Sequence, residues 1–228
     1  MRTRSKSYKQ IVKNAMNASA LPIEKAIGQV KALSYSKFVG SLELHINLSK
    51  RDKKEGPVKG SVLFPNSIGK ETKIIVFSND PKKIESVQKL KVEDVGNDKL
   101  IKKIQGGWTD FDIAIAEPAM MPKITVLGKI LGPKGAMPNP RNNTVTDDLE
   151  TAVKQYQSGK VNFKPDKDNI IHMVVGKLDM DNNALIENVK EALKSVSQAT
   201  GKNIMSSINS VYLAPTMGPS VKIDKSSL

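Results

Sequence analysis

Two kinds of strand are written into this chain, and their order along it is the tightest constraint on what it can fold into. From Ser41 to Leu48 apolar and polar residues alternate without a break. Leu42, Leu44, Ile46 and Leu48 fall on one side, and Ser41, Glu43, His45 and Asn47 on the other. A period of two belongs to a strand with one buried face and one face free for water or a ligand. From Lys73 to Ser78 the run KIIVFS is apolar without alternation, as in a strand covered on both faces. After Gly159 the alternation returns, so a middle section of different architecture interrupts a domain built from both chain ends.

The remaining elements follow from local pattern. Pro22 can open a helix whose apolar positions Ile23, Ala26, Ile27, Val30 and Leu33 recur at helical spacing. A charged turn at 50–57 precedes a second strand at 58–64. The middle section then reads strand (72–78), helix (81–91), short helix (98–105), strand (111–116), helix (near 119–130) and helix (147–157). Such alternation predicts a three-layer α/β, Rossmann-like unit with parallel strands. Beyond it, VNFK and IIHMVVGKL around the turn PDKDN predict a hairpin. Residues 185–196 form an amphipathic helix. Two short strands, SVYLA and SVKID, flank PTMGP. The expected fold class is α/β in two domains: a discontinuous α+β domain, with an antiparallel sheet and helices, and an inserted α/β domain.

The chain carries 36 Lys and Arg against 23 Asp and Glu, a formal net charge of +13. That balance suits a polyanion or an anionic membrane surface and does not choose between them. The N-terminal stretch lacks the apolar core of a secretory signal, and no run approaches a membrane span, so a cytoplasmic location is expected. With no Cys, disulfides and thiolate chemistry are excluded. Lys70 follows Gly69, but Phe64 and Glu71 stand where a phosphate-cradling loop needs Gly and Ser or Thr. Gly128, Gly132 and Gly135 miss the dinucleotide spacing. The two histidines, His45 and His172, sit in separate strands with no carboxylate motif beside them in sequence, which is the pattern of ordinary polar residues rather than a catalytic centre. No cofactor or metal site is expected.

Two loops remain. Leu131 to Thr146, LGPKGAMPNPRNNTVT, holds so many Gly, Pro and Asn that a stiff loop without regular structure is expected. Its glycines permit close approach, and Lys134 and Arg141 could neutralise phosphate. Packing between elements is an equal reading of the same residues. In PTMGP a threonine hydroxyl, a polarizable methionine and a glycine could meet RNA, or could simply turn the chain.

These two segments, together with TMGPSVKID at 216–224, closely resemble the signature segments of the large-subunit ribosomal protein one family in its bacterial form. The likeness continues in order through RSKSYK near the start, SKF (36–38), KGSVLFPNSIGK (59–70), GWTDFDIAIAEPAMM (107–121) and KVNFKPDKDNIIHMVVGK (160–177). The resemblance implies a non-enzymatic, cytoplasmic ribosomal constituent, monomeric when free. It would bind large-subunit rRNA in the mobile stalk near the tRNA exit site, help deacylated tRNA leave, and repress translation by binding its own mRNA. It further implies a first domain of 1–66 and 159–228 that makes the main RNA contacts, and a second of 67–158. Divided there, the first holds 22 Lys and Arg against 11 Asp and Glu, and the second 14 against 12.

Carried over by position, the RNA-binding residues are Lys37, Phe38, Thr216, Met217 and Gly218, with Lys164 and Lys167 on phosphate. Ser41, Glu43, His45, Asp166, His172 and Ser210 lie where the family has similar polar residues. Gly132, Lys134, Gly135, Pro138, Asn139, Pro140 and Arg141 form a signature loop with weaker contacts. Ala214 and Pro215 stand where the bacterial pattern has threonines, which removes hydroxyls from that edge. Two rival expectations are a nucleotide-using enzyme built on the α/β insert and a general nucleic-acid binder.

Overall fold

The computed structural model describes residues 8, 11–12, 20–49, 58–69, 72–90, 92–201 and 204–225. The expected charged turn at 50–57 lies outside them. In chain order the elements are α1 (Ile23–Leu33), β1 (Ser41–Leu48), β2 (Gly60–Leu63), β3 (Ile74–Phe77), α2 (Pro81–Gln88), β4 (Asp94–Gly96), α3 (Asp98–Gln105), β5 (Ile113–Ala116), α4 (Met121–Ile124), α5 (Gly128–Lys134), α6 (Leu149–Gln157), β6 (Lys160–Phe163), β7 (Ile170–Lys177), α7 (Asn182–Thr200), α8 (Ile204–Ser207), β8 (Ile208–Pro215) and β9 (Val221–Ile223). Short 3-10 turns at Pro118–Met120, Thr125–Leu127 and Pro140–Asn142 join some of them. Contacts within the chain divide it into two compact units, 1–69 with 161–228, and 70–160.

The first unit is built on a four-stranded sheet in the order β7-β1-β8-β9, antiparallel throughout. The alternation in β1 is realised without exception, since Leu42, Leu44, Ile46 and Leu48 are buried and the residues between them are half-exposed. The buried side packs against α1, through Ile23, Ala26, Ile27, Val30 and Leu33, and against α7, through Leu185, Val189, Ala192, Leu193 and Val196. Burying the Ile, Leu and Val side chains among them stabilises by about 1.5–3 kcal/mol each relative to exposure, so both helices hold the sheet from one side and leave the other open. A buried Asn188 on α7 is fully engaged: its Nδ2 donates to Val175 O at 2.8 Å and Asn66 O at 3.0 Å, and its Oδ1 accepts from Asn66 N at 3.1 Å. It fastens the segment after β2 to the sheet.

The expected hairpin of VNFK with IIHMVVGKL does not form. VNF of this stretch lies in β6, which pairs with β2 in a separate two-stranded sheet, while β7 pairs with β1. Only an isolated bridge, Pro165 to Ile171, links the two arms. The reason is burial: Leu42 to Leu48 offers β7 a long apolar register, which outweighs the shorter local pairing.

In the second unit β4, β3 and β5 form a parallel sheet with β3 central, and every residue of β3 is buried. Helices α2 and α6 cover one face, meeting Ile74, Val76 and Ile115. Helix α3 and the segment from Met120 to Leu131 cover the other, meeting Ile75, Phe77 and Ala114. This is the expected three-layer arrangement. Strand β4 is an addition that the sequence pattern did not signal, because three half-buried residues are too few to show a period.

The stretch from Leu131 is less irregular than expected. Its first four residues complete helix α5, with Pro133 inside it. Met120, Ile124, Leu127 and Leu131 are all fully buried, and that burial carries the helical course through residues that read locally as breakers. The helix stops at Gly135, whose φ of +75° is left-handed and whose N–H bonds back to Leu131 O and Gly132 O.

Candidate nucleic-acid interface

On the open side of the first sheet one polar row crosses all four strands, between two rows of mixed character. In register, His45 of β1 lies between His172 of β7 and Tyr212 of β8, and Tyr212 is followed by Lys222 on β9. Glu43 lies between Val174 and Ala214, and Asn47 between Ile170 and Ser210. A shallow concavity of about 240 Å³ is lined by His45, Asn47, Ile170, His172, Tyr212 and Ser220. The structure puts His45, His172 and Ser210, all expected to bind RNA, on neighbouring strands of this one face. Tyr212 went unnamed, although the alternation of β8 sets it on the same side as Ser210.

One side chain organises the turn that precedes β7. Asp166 Oδ1 accepts the backbone N–H groups of Asp168 at 2.9 Å and Ile170 at 2.8 Å, and Oδ2 faces His172 Nε2 at 3.2 Å. The Ile170 N–H is the main cause that holds this carboxyl below the usual carboxylate range, against some opposing burial and with help from His172 and Asp168. Lys164 and Lys167 project from the same turn and are exposed. Across the strand, His45 Nδ1 meets His172 Nδ1 at 2.8 Å, and His45 Nε2 faces Glu43 Oε2 at 3.8 Å. Partial burial and the neighbouring His172 lower the proton affinity of His45, and Glu43 opposes them.

At the Ser41 end of the sheet two loops converge. Thr216 is bonded to the Ser41 backbone: its Oγ1 accepts Ser41 N–H at 2.9 Å and donates to Ser41 O at 3.2 Å, while its own N–H donates to Ser41 O at 3.0 Å. The Thr216 hydroxyl therefore closes the β1–β8 edge. Gly218 sits where a Cβ would come within 2.6 Å of Pro215 Cγ and 3.0 Å of Leu33 O, so no other residue fits without movement. Gly40 lies beside Thr216 and Leu178. This packing brings the 34–40 loop and the 215–218 loop to one end of the sheet, where Phe38 (59 % exposed), Val39 (58 %) and Met217 (42 %) leave an apolar surface uncovered. Lys37 is exposed beside them.

The signature loop belongs to the second unit, and most of it is engaged in packing. Ala136, Pro138 and Thr144 are buried. Asn139 N donates to Thr144 Oγ1 at 2.7 Å, and Thr144 Oγ1 donates back to Asn139 O at 2.9 Å. Tyr156 OH donates to Asn142 O at 2.8 Å. Lys134 Nζ donates to Thr109 O and lies 4.6 Å over the Phe111 ring. Gly132, Gly135 and Pro140 are exposed. The side chain of Arg141 lies outside the described residues.

Among the described residues there is no cluster of three or more His, Asp or Glu placed to hold a metal, and no helix long and apolar enough to cross a membrane. The family profile described as ribosomal protein L1p/L10e matches residues 30–219. The protein called large ribosomal subunit protein uL1 in Kosmotoga olearia is 40 % identical over 230 aligned residues, covering 98 % of this chain and 97 % of its own. Its namesake in Limosilactobacillus reuteri is 36 % identical over 97 % of this chain and 96 % of its own. The protein called large ribosomal subunit protein uL1c in Phaeodactylum tricornutum is 38 % identical over 96 % of each. Matching thus runs over nearly the whole chain, at identities of 36 % and above. On these grounds the chain belongs to the ribosomal protein L1p/L10e family, and is a structural ribosomal protein rather than an enzyme.

Proposed function

We propose that the open face of the β7-β1-β8-β9 sheet, with the Phe38 and Met217 surface at its end, binds folded large-subunit rRNA at the base of the mobile stalk. The observation that carries this reading is the pairing of an uncovered apolar patch with a polar row in the part of the chain that holds nearly all the excess positive charge. Folded RNA offers sugar hydroxyls and splayed bases to such a surface, and stacking on an aromatic ring contributes about 1–3 kcal/mol per base. Lys37, Lys164 and Lys167 neutralise phosphate, which attracts RNA without reading it. The names of the relatives support placement in the large subunit.

On this reading 1–66 with 159–228 is the principal RNA-binding domain and 67–158 an insert with weaker contacts. The resemblance of the chain to its family supports three finer roles: release of deacylated tRNA at the exit site, repression of its own mRNA through a site that imitates the rRNA, and a cytoplasmic, monomeric free state. The test is competition binding at fixed salt between stalk rRNA and a scrambled RNA of equal length. Phe38→Ala and Met217→Ala are expected to weaken binding to stalk rRNA by roughly tenfold or more and to erode the preference over scrambled RNA. Lys37→Ala is expected to weaken both RNAs alike and to reduce the salt slope by about one. Wild-type affinity in all three variants, or no preference in the wild type, would sink the reading.

A further inference from the structure

The row that crosses the sheet from Glu43 through His45 and His172 to Asp166 has three contacts between titratable groups, and each needs one hydrogen. His172 Nε2 must carry a proton to meet Asp166 Oδ2 at 3.2 Å, because an ionised carboxylate only accepts. The Nδ1 to Nδ1 contact at 2.8 Å needs one hydrogen between two rings. His45 Nε2 needs one to meet Glu43 Oε2. Two neutral imidazoles bring two hydrogens for three contacts. The shortfall falls at Glu43, where a bare ring nitrogen faces a carboxylate oxygen at 3.8 Å, beyond hydrogen-bond reach.

We propose that this row takes up one proton when RNA docks on the sheet, so that RNA binding and protonation reinforce each other. The inference rests on the RNA-binding reading given above. One added proton completes all three contacts, whichever ring formally carries the charge. A second would set two N–H groups against each other between the rings, so the capacity of the row is one. Both rings line the concavity on the open face, so a phosphate or ribose seated there lies against them. Without the extra proton the row presents two carboxylate charges to a polyanion; with it the net charge is halved.

The other charged or titratable groups around the row are Tyr212 on β8, Lys222 beside it on β9, and Lys164, Lys167 and Asp168 in the turn before β7. The chain has two histidines and no cysteine, and both histidines lie in this row.

The experiment measures affinity for stalk rRNA at constant ionic strength between pH 8 and pH 6, with calorimetry in two buffers of different ionisation enthalpy to count protons. Binding is expected to be about fivefold tighter at pH 6, with a net uptake between zero and one proton per complex. In the His45→Gln, His172→Gln double variant the tightening and the uptake should both vanish. Nitrogen NMR of the wild-type rings, free and bound, reads the same proton without any substitution, and should show one additional N–H in the complex. RNA binding that is tight but independent of pH, or a pH dependence that survives in the double variant, overturns the proton coupling alone. Absence of RNA binding at every pH overturns the coupling together with the interface on which it rests.

Discussion

At Asp166 and Glu117 a single carboxylate is shared among several partners, and the two differ in what they fix. Asp166 spends one oxygen on two backbone N–H groups and the other on His172, so it shapes the turn bearing Lys164 and Lys167 and orients a ring of the open face. That placement makes it a positioning residue. Glu117, at the end of β5 in the second unit, is buried to 7 % exposure. It accepts from Ser78 Oγ at 3.0 Å and Asn79 N at 3.4 Å, and pairs with Lys83. Burial works against its charge, but Lys83, Ser78 and Asn79 together outweigh burial and hold its carboxyl below the ordinary range. A lowered folded-state pKa contributes stability that is present above the unfolded value, near 4.5, and is lost as pH falls through the folded value. Glu117→Gln is therefore expected to lower stability at pH 7 by about 1 kcal/mol and to flatten the loss of Tm on acidification below pH ~4.5. Thermal melts of both proteins across pH 3–7 check this; parallel curves would refute it.

Among the elements, those with a long period were legible in the sequence and those decided by distant burial were not. Strand β1 and helices α1 and α7 each repeat an apolar residue over several turns or pleats, and the structure follows them. The partner of β6 was not legible, because pairing with β2 rather than β7 is settled by which strand fills the apolar register of β1. The last turn of helix α5 was hidden by Gly132 and Pro133, whose local preferences are overruled by the buried Leu131. For the open face, alternation identified which residues of β1 project outward, but the meeting of His45 with His172 depends on a register across strands separated by more than a hundred residues. Gly135 gives a test at this scale. Nothing lies within 4 Å of a Cβ built there, yet its φ is +75°, so Gly135→Ala is penalised by backbone conformation alone. A loss of about 1–2 kcal/mol in chemical denaturation is expected, and an unchanged midpoint would show that the backbone relaxes.

For the whole molecule, on the proposed RNA-binding reading, the unequal division of charge sets the response to salt. Binding driven by phosphate neutralisation weakens linearly in log salt, with a slope that counts the cations involved. Lys164→Gln with Lys167→Gln should lower that slope by about two. Lys102→Gln with Lys129→Gln, two exposed residues of the second unit, should leave it nearly unchanged. Equal losses from the two pairs would mean that both units neutralise phosphate. The order β7-β1-β8-β9 has a further consequence, in time rather than in space. The face proposed for RNA places β1, made early, between strands β7 and β8, which are made late. A growing chain that has passed Leu48 but not Ile170 has neither neighbour of β1, and one that has passed Lys177 but not Pro215 has only β7 complete. On the proposed reading, recognition of RNA by this sheet cannot begin before Pro215 has been made, so any feedback on the message requires a chain extended past β8.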